Sequence, residues 1–189
     1  MTHQMCYAYI VVDRVDQLLG VTALAAIDRL RAAVAAVAGV SEAEAGALVH
    51  LQAWPGDSVG DLAGVVDRSQ PAAVRMVDRL VDRGLVERRP GADRRTIALA
   101  LTQAGSRAAN AILAARASAL SSLLNGLSSD ERDALERLLE DVVAGVADDR
   151  PTALHVCRLC DRGACCSGPG CPLQHTASPS QQSRRRRRS

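Results

Sequence analysis

Five of the six cysteines of this 189-residue chain lie within fifteen residues near its C-terminus. Four thiolates can surround a zinc ion tetrahedrally, and a Cys-x-x-Cys pair readily supplies two of the four ligands. The pattern therefore predicts a zinc site, with His155 or His175 as alternative sources of one ligand. The predicted ligands are Cys157, Cys160, Cys165 and Cys171, with Cys166 as the alternate to Cys165.

Other chemistries fit the same cysteines. The adjacent pair Cys165-Cys166 suits a thiol redox switch, in which oxidation would release a bound metal. Four thiolates also suit an iron–sulfur cluster, which ranks behind zinc as a cofactor. The plain alternative is a disordered cysteine-rich tail. Structural disulfides are not expected if the chain is cytoplasmic, and Cys6 is interpreted as an isolated thiol near a frayed terminus.

A second set of functional residues lies in residues 57–101, where the order of elements is typical of a winged helix-turn-helix. Apolar spacing and turn residues predict a short helix, a second helix ended by a glycine, and two strands joined by a basic turn. These elements are Val59–Ala63, Ser69–Arg83 with Gly84, Leu85–Arg89, Pro90–Arg95 and Thr96–Leu101.

The second helix offers side chains for reading DNA. Ser69 is predicted to cap it, and Pro71 suits its first turn because proline lacks the N–H that is unpaired there. The N-terminal end of such a helix enters the major groove. Gln70 is then placed to read adenine, and Arg75 to read guanine or to hold a phosphate. Alternatively, Arg75 forms an ordinary solvated pair with Asp78.

Further arginines extend the predicted DNA surface. Arg79 lies one turn along the helix, where it either reaches the DNA backbone or pairs with Asp82. Arg94 and Arg95 occupy the tip of the wing, and arginine is drawn to the negative potential of a narrow minor groove. Residues 68–95 hold eight arginines against four acidic residues, so positive charge collects in this unit.

Long helices are predicted on both sides of the winged unit. They cover residues 16–37 and 41–53 before it, and 102–125 and 128–146 after it. Their alanine, valine and leucine side chains exceed what a unit of about 45 residues can cover. Aromatic residues are only 2% of the chain and Phe is absent, so bulky core side chains are few. We therefore predict a homodimer with an interchain helical bundle.

Five segments of the chain resemble the pattern of the MarR (multiple antibiotic resistance regulator) family over roughly residues 16–146. The resemblance implies a homodimer on a pseudo-palindromic operator, usually a repressor, with a small-molecule effector bound between the DNA-binding and dimer regions. It assigns DNA binding to Ser69, Gln70, Arg75, Arg94 and Arg95. The chain has no Phe, so it differs from the family in the side chains available to line an aromatic effector pocket. The segments are Leu62-Ala63, Ser69–Leu80, Arg83–Arg88, Asp93–Arg95 and Leu101–Gly105.

The predicted fold class is mainly α (α+β), a winged helix-turn-helix with flanking dimerisation helices. Regular structure is predicted to end at Asp148–Pro151. The predicted segments are a weakly ordered terminus at 1–15, the MarR-like domain at 16–150 with its DNA-binding unit at 57–101, a cysteine-rich segment at 151–175 and a disordered tail at 176–189.

We expect a cytoplasmic DNA-binding transcriptional regulator, whose partners are double-stranded DNA, a second copy of the chain and a small-molecule effector. No apolar run is long enough to predict a membrane span, and no nucleophile–base pair or phosphate loop indicates an enzyme. The Arg184–Arg188 run either adds phosphate affinity or is simply solvated. The alternative function is a metal- or redox-centred protein whose winged domain mediates protein contacts.

Overall fold

The computed structural model describes residues 13–91, 96–167 and 170–174. Most of these residues are helical, and one two-stranded antiparallel sheet follows the fourth helix, which confirms the predicted fold class. The elements are α1 Arg14–Ala38, α2 Glu42–Ala53, α3 Val59–Val65, α4 Gln70–Asp82, β1 Val86–Pro90, β2 Ile97–Leu101, α5 Gln103–Ser121, a 3-10 turn Ser122–Leu124, α6 Ser129–Ala144, α7 Arg150–Val156 and α8 Arg162–Cys165.

Polar side chains set most of the helix starts. The predicted capping boxes at Ser41–Glu44 and Ser128–Glu131 are present, and the Thr102 side chain accepts a hydrogen bond from the N–H of Gly105. Ser69 occupies the N-cap position of α4, but its side chain makes no capping hydrogen bond. Pro71 stands at the second helical position and has no N–H to donate, so one of the usual bonds to a cap is unavailable.

The wing begins one residue later than predicted. Gly84 has φ of 66°, a left-handed conformation that glycine adopts without strain, and it ends α4 as predicted. Leu85 then donates to the Leu80 carbonyl and accepts from the N–H of Thr102, so it closes the turn rather than starting the strand. The two strands pair from Val86 opposite Leu101 to Pro90 opposite Ile97.

The main core lies between α2, α3, α4, the sheet and α5. Its largest fully buried side chains include Leu48, Leu51, Leu62, Leu80, Leu99 and Ile112. Helix α1 packs along α5, yet it leaves apolar side chains such as Val21 and Leu24 each 66% exposed. Helix α6 buries none of its residues, and its Leu138 is 64% exposed. The winged unit therefore has its own core, whereas two flanking helices present uncovered apolar faces.

Regular structure continues past Pro151, contrary to the prediction. Asp149 caps α7 by accepting a hydrogen bond from the N–H of Thr152, and Asp161 caps α8 in the same way. Leu159, between these two helices, joins the main core, and Leu173 packs in a second small cluster. The cysteine-rich segment is therefore packed against the main core through Leu159, and Leu173 packs on Ala147 and Ala153 nearer the C-terminus.

None of the described helices is long and apolar enough to cross a bilayer by itself. Helices α1 and α2 reach such a length and composition only when taken together, and they are bent by 81° relative to each other.

Candidate nucleic-acid interface and thiol pocket

Helix α4 buries one face and presents a polar face to solvent. Ala73, Met76, Val77 and Leu80 are buried against the rest of the winged unit. Arg75 lies on the opposite side, where it is exposed, and no carboxylate within the described residues pairs with it.

The carboxylate that could have paired with Arg75 has a different partner. Asp78 instead accepts a hydrogen bond from Arg88 of β1 at 2.6 Å. This contact ties the wing to α4 and leaves the Arg75 guanidinium available for a ligand.

Arg79 pairs with a carboxylate other than Asp82. Its Nε donates to Oε1 of Glu44 on α2 at 3.0 Å. Glu44 is only 6% exposed, and a buried carboxylate requires a cation or hydrogen-bond donors. Burial raises the pKa of Glu44, but hydrogen bonds from Ser41 and Arg79 have the larger combined effect, so its pKa is lowered. Arg79 therefore joins α4 to α2, and its predicted contact with the DNA backbone stays a prediction.

The other polar residues considered for DNA binding lie at the start of α4. Ser69 and Gln70 are both exposed there, and the Gln70 amide lies beside Gly60 of α3. Arg68 is exposed in the turn just before α4, with no ion pair to any described residue, although sequence reasoning did not select it. Its position next to the helix N-terminus was the signal that could have found it.

The wing is described only up to its base. The N–H of Gly91 donates to the Thr96 carbonyl at 2.9 Å, which closes the hairpin beyond the last strand pair. Arg94 and Arg95 lie outside the described residues, so their predicted contact with the minor groove stays a prediction.

All five tail cysteines line one pocket, and His50 of α2 and Trp54, which follows α2, form part of its wall. Cys165 lies close enough to Cys160 and Cys171 for their thiols to act on it. Burial, and then the neighbouring thiols, raise the pKa of Cys157 to about 11 and that of Cys165 to about 12. The four predicted ligands are therefore neighbours, and none of them forms a disulfide.

The predicted zinc site is not preformed. Across 13–91, 96–167 and 170–174, no three His, Cys, Asp or Glu side chains are arranged as a ready metal-binding group. The Nδ1 of His155 is hydrogen-bonded to the Val65 carbonyl at 2.9 Å, and His155 is not among the residues that line the thiol pocket. The other histidine considered, His175, lies outside the described residues, as do Cys6 and Arg184–Arg188.

Contacts from the tail reach both α2 and α3. Arg158 donates to Glu42 of α2 at 2.8 Å, and this hydrogen bond is the largest of the effects that lower the pKa of Glu42. The guanidinium of Arg162 lies over the Trp54 ring, 4.6 Å from its centroid, a cation–π arrangement. Residues of α2 therefore line the thiol pocket, and the tail also contacts α3 through His155.

The two-helix turn, its exposed arginine and the two-stranded wing define a winged helix-turn-helix protein. Residues 38–96 match the model of the MarR family. The apo form of MarR from E. coli has 25% sequence identity and a TM-score of 0.57, over 69% of this chain and 98% of that one. RV1404 from Mycobacterium tuberculosis has 25% sequence identity and a TM-score of 0.61, over 71% of this chain and 92% of that one.

The fold extends to more distant structures. A mutant of MepR from S. aureus, bound to an oligodeoxyribonucleotide, has 17% identity and a TM-score of 0.54, over 72% of this chain and all of that one. A search of curated protein sequences found no significant match. Residues 38–96 therefore match the MarR family model, and the fold is that of MarR-type winged helix-turn-helix structures, which confirms the resemblance stated from the motifs.

Proposed function

We propose that this protein is a dimeric transcriptional repressor, acting in the cytoplasm, that binds a specific duplex DNA sequence through α4 and the wing. The unpaired, exposed guanidinium of Arg75 on the polar face of α4 supports this proposal most directly. Arg68, Ser69 and Gln70 at the start of the helix extend the same polar edge. The oligodeoxyribonucleotide bound by the MepR mutant agrees with this use of the fold.

A specific duplex provides the test of DNA binding. The wild-type chain should enrich a consensus from a random DNA pool, and its affinity for that duplex should fall steeply as salt rises, because phosphate contacts release counterions. Arg75→Ala should weaken binding about tenfold or more, since a side chain that reads a base or holds a phosphate contributes about 1–3 kcal/mol. Fluorescence anisotropy with the enriched duplex measures both effects.

Arg107→Ala is the matched control for Arg75→Ala. Arg107 is also an exposed helical arginine, but it lies on α5, away from the polar edge of α4. Its removal deletes the same charge and should leave the affinity within about twofold. Equal losses in the two variants, or no enriched sequence from the pool, would contradict specific readout and favour a winged domain that contacts protein.

The second half of the proposal is a homodimer held by α1 and α6. Both helices carry several exposed large apolar side chains, and such a surface is typical of a protein–protein interface. A two-fold dimer would cover both faces and bring two copies of α4 to successive major grooves, about 34 Å apart. An effector would then act by changing the spacing between those two helices.

Leu24→Glu is expected to break the dimer, because it places a charge at the centre of the apolar face of α1. Thr22→Glu is the control: it adds the same charge to an exposed position about 160° around the helix. Sedimentation velocity should show a dimer for the wild type and Thr22→Glu, and a monomer for Leu24→Glu. A wild-type monomer at all concentrations would rule out this interface.

A further inference from the structure

We propose that the tail thiols bind one Zn²⁺ ion, which holds the C-terminal segment against helices α2 and α3. The ligands are Cys157, Cys160, Cys165 and Cys171. The proposal goes beyond DNA binding, and it can be tested by metal content whether or not the protein recognises a DNA sequence.

Cys165 is proposed as a ligand in preference to its neighbour Cys166. All five tail thiols line one pocket, so the four proposed ligands face a common space. Within it, Cys160 and Cys171 lie close enough to Cys165 to add to the effect of burial in raising its pKa, and they have the same effect on Cys157.

The spacing of the thiols favours a single ion over a cluster. Zinc–sulfur bonds of about 2.3 Å in a tetrahedron place two sulfurs about 3.8 Å apart. Thiols that line one small pocket can reach that separation by side-chain rotation. In an iron–sulfur cluster the thiolates are distributed over different iron atoms. Thiols gathered around one small pocket therefore suit one Zn²⁺ ion better.

The charge around the pocket also suits a thiolate site. Four thiolates and one Zn²⁺ carry a net charge of about −2, which a partly buried site must compensate. Arg116 of α5 and Arg162 of α8 both lie close enough to act electrostatically on Cys157, and Arg116 also acts on Cys160. The two guanidinium groups supply the compensating charge.

The ion would connect the tail to the winged unit. Trp54 forms part of the pocket wall, while Arg158 and His155 bind α2 and α3 on the same side. Each of these contacts is weak by itself at a partly exposed site. A four-ligand zinc site has no open position for substrate and contributes directly to folding stability. Its expected role is therefore to fix residues 150–174 against the helices that support α4.

The full-length chain, purified anaerobically without an affinity tag, should contain about one zinc per chain by elemental analysis. After zinc is removed by a chelator, Co²⁺ should bind with the visible absorption of tetrahedral thiolate coordination. The only tryptophan, Trp54, lies in the pocket wall, so bound Co²⁺ should quench its fluorescence. The melting temperature should be lower without metal and recover when zinc is restored.

Two neighbouring serine variants make the assignment specific. Cys165→Ser should lose most of the bound zinc, whereas Cys166→Ser should keep about one zinc per chain. The Co²⁺ titration of the wild type needs no variant, so it decides the matter even if Cys165→Ser folds poorly. Iron in place of zinc, no metal uptake, loss of zinc in Cys166→Ser, or Co²⁺ binding without quenching of Trp54 would each overturn the proposal.

Discussion

Gly105→Ala is expected to lower the free energy of unfolding by about 3 kcal/mol, the upper part of the range for overpacking a fixed site. A Cβ added at Gly105 would lie 1.9 Å from the Leu85 carbonyl oxygen and 3.0 Å from its carbonyl carbon. Both are backbone atoms, and that carbonyl is held by the N–H of Thr102. Because neither side can move without breaking the junction between the wing and α5, the substitution should strain the native state.

Gly64→Ala is the matched control for that change. Gly64 also lies within a helix, but a Cβ there would have nothing within 4 Å. Alanine should stabilise this position by about 0.5–1 kcal/mol, because it loses less backbone freedom on folding than glycine. Urea unfolding followed by circular dichroism measures both changes. Similar effects at Gly105 and Gly64 would show that the junction adjusts and that close packing is not the reason for glycine at 105.

Glu44→Gln is expected to destabilise the protein by about 2 kcal/mol at neutral pH. Glu44 closes the capping box of α2 and accepts a hydrogen bond from Arg79 of α4, so its carboxylate joins two helices of the winged unit. Glutamine retains the size and one acceptor but loses the charge. The Arg79 side chain is 57% exposed, so the expected loss is smaller than for a fully buried pair.

The loss should depend on pH in one direction. The folded-state pKa of Glu44 is below its ordinary value of 4.5, so the folded protein favours the charged carboxylate. Its contribution is complete above the unfolded pKa and disappears as pH falls through the lower folded pKa. The difference in unfolding free energy between wild type and Glu44→Gln should therefore be constant from about pH 6 to 8 and shrink in acid.

Glu136→Gln is the control for the acid series. Glu136 is an exposed carboxylate on α6, and within the described residues it forms no ion pair. Its substitution removes the same charge and should change stability by less than about 0.5 kcal/mol. If the Glu44→Gln difference persisted at pH 3, the lost stability would come from packing and not from the carboxylate charge.

Local structure followed directly from neighbouring residues. The capping boxes at Ser41–Glu44 and Ser128–Glu131 join residues only three apart, so their hydrogen bonds depend on local geometry. Local patterns of neighbouring residues also predicted the order of helix, turn, helix and wing. The same patterns predicted the end of α4 at Gly84 and carried the family resemblance. The uncovered stripes on α1 and α6 also followed from the apolar spacing of their own residues.

The tertiary structure decided the partners of charged side chains. Arg79 was within helical reach of Asp82, but it pairs with Glu44, which is 35 residues away. Asp78 was within reach of Arg75, but it pairs with Arg88 across the wing. A local count of charges cannot rank such pairs, because burial of one carboxylate changes which guanidinium it attracts. That Arg75 has no carboxylate partner among the described residues is known only once those pairs are assigned.

The tail shows the same division between sequence and structure. The spacing of its cysteines identified a group of thiols, but it left Cys165 and Cys166 equivalent as the third ligand. Folding α7 and α8 onto α2 brings all five thiols to one pocket, through contacts such as Arg158 with Glu42 that join residues 116 positions apart. Neighbouring residues thus determined the elements of this protein, whereas packing between distant residues determined that the tail thiols share one pocket and which charged side chains pair.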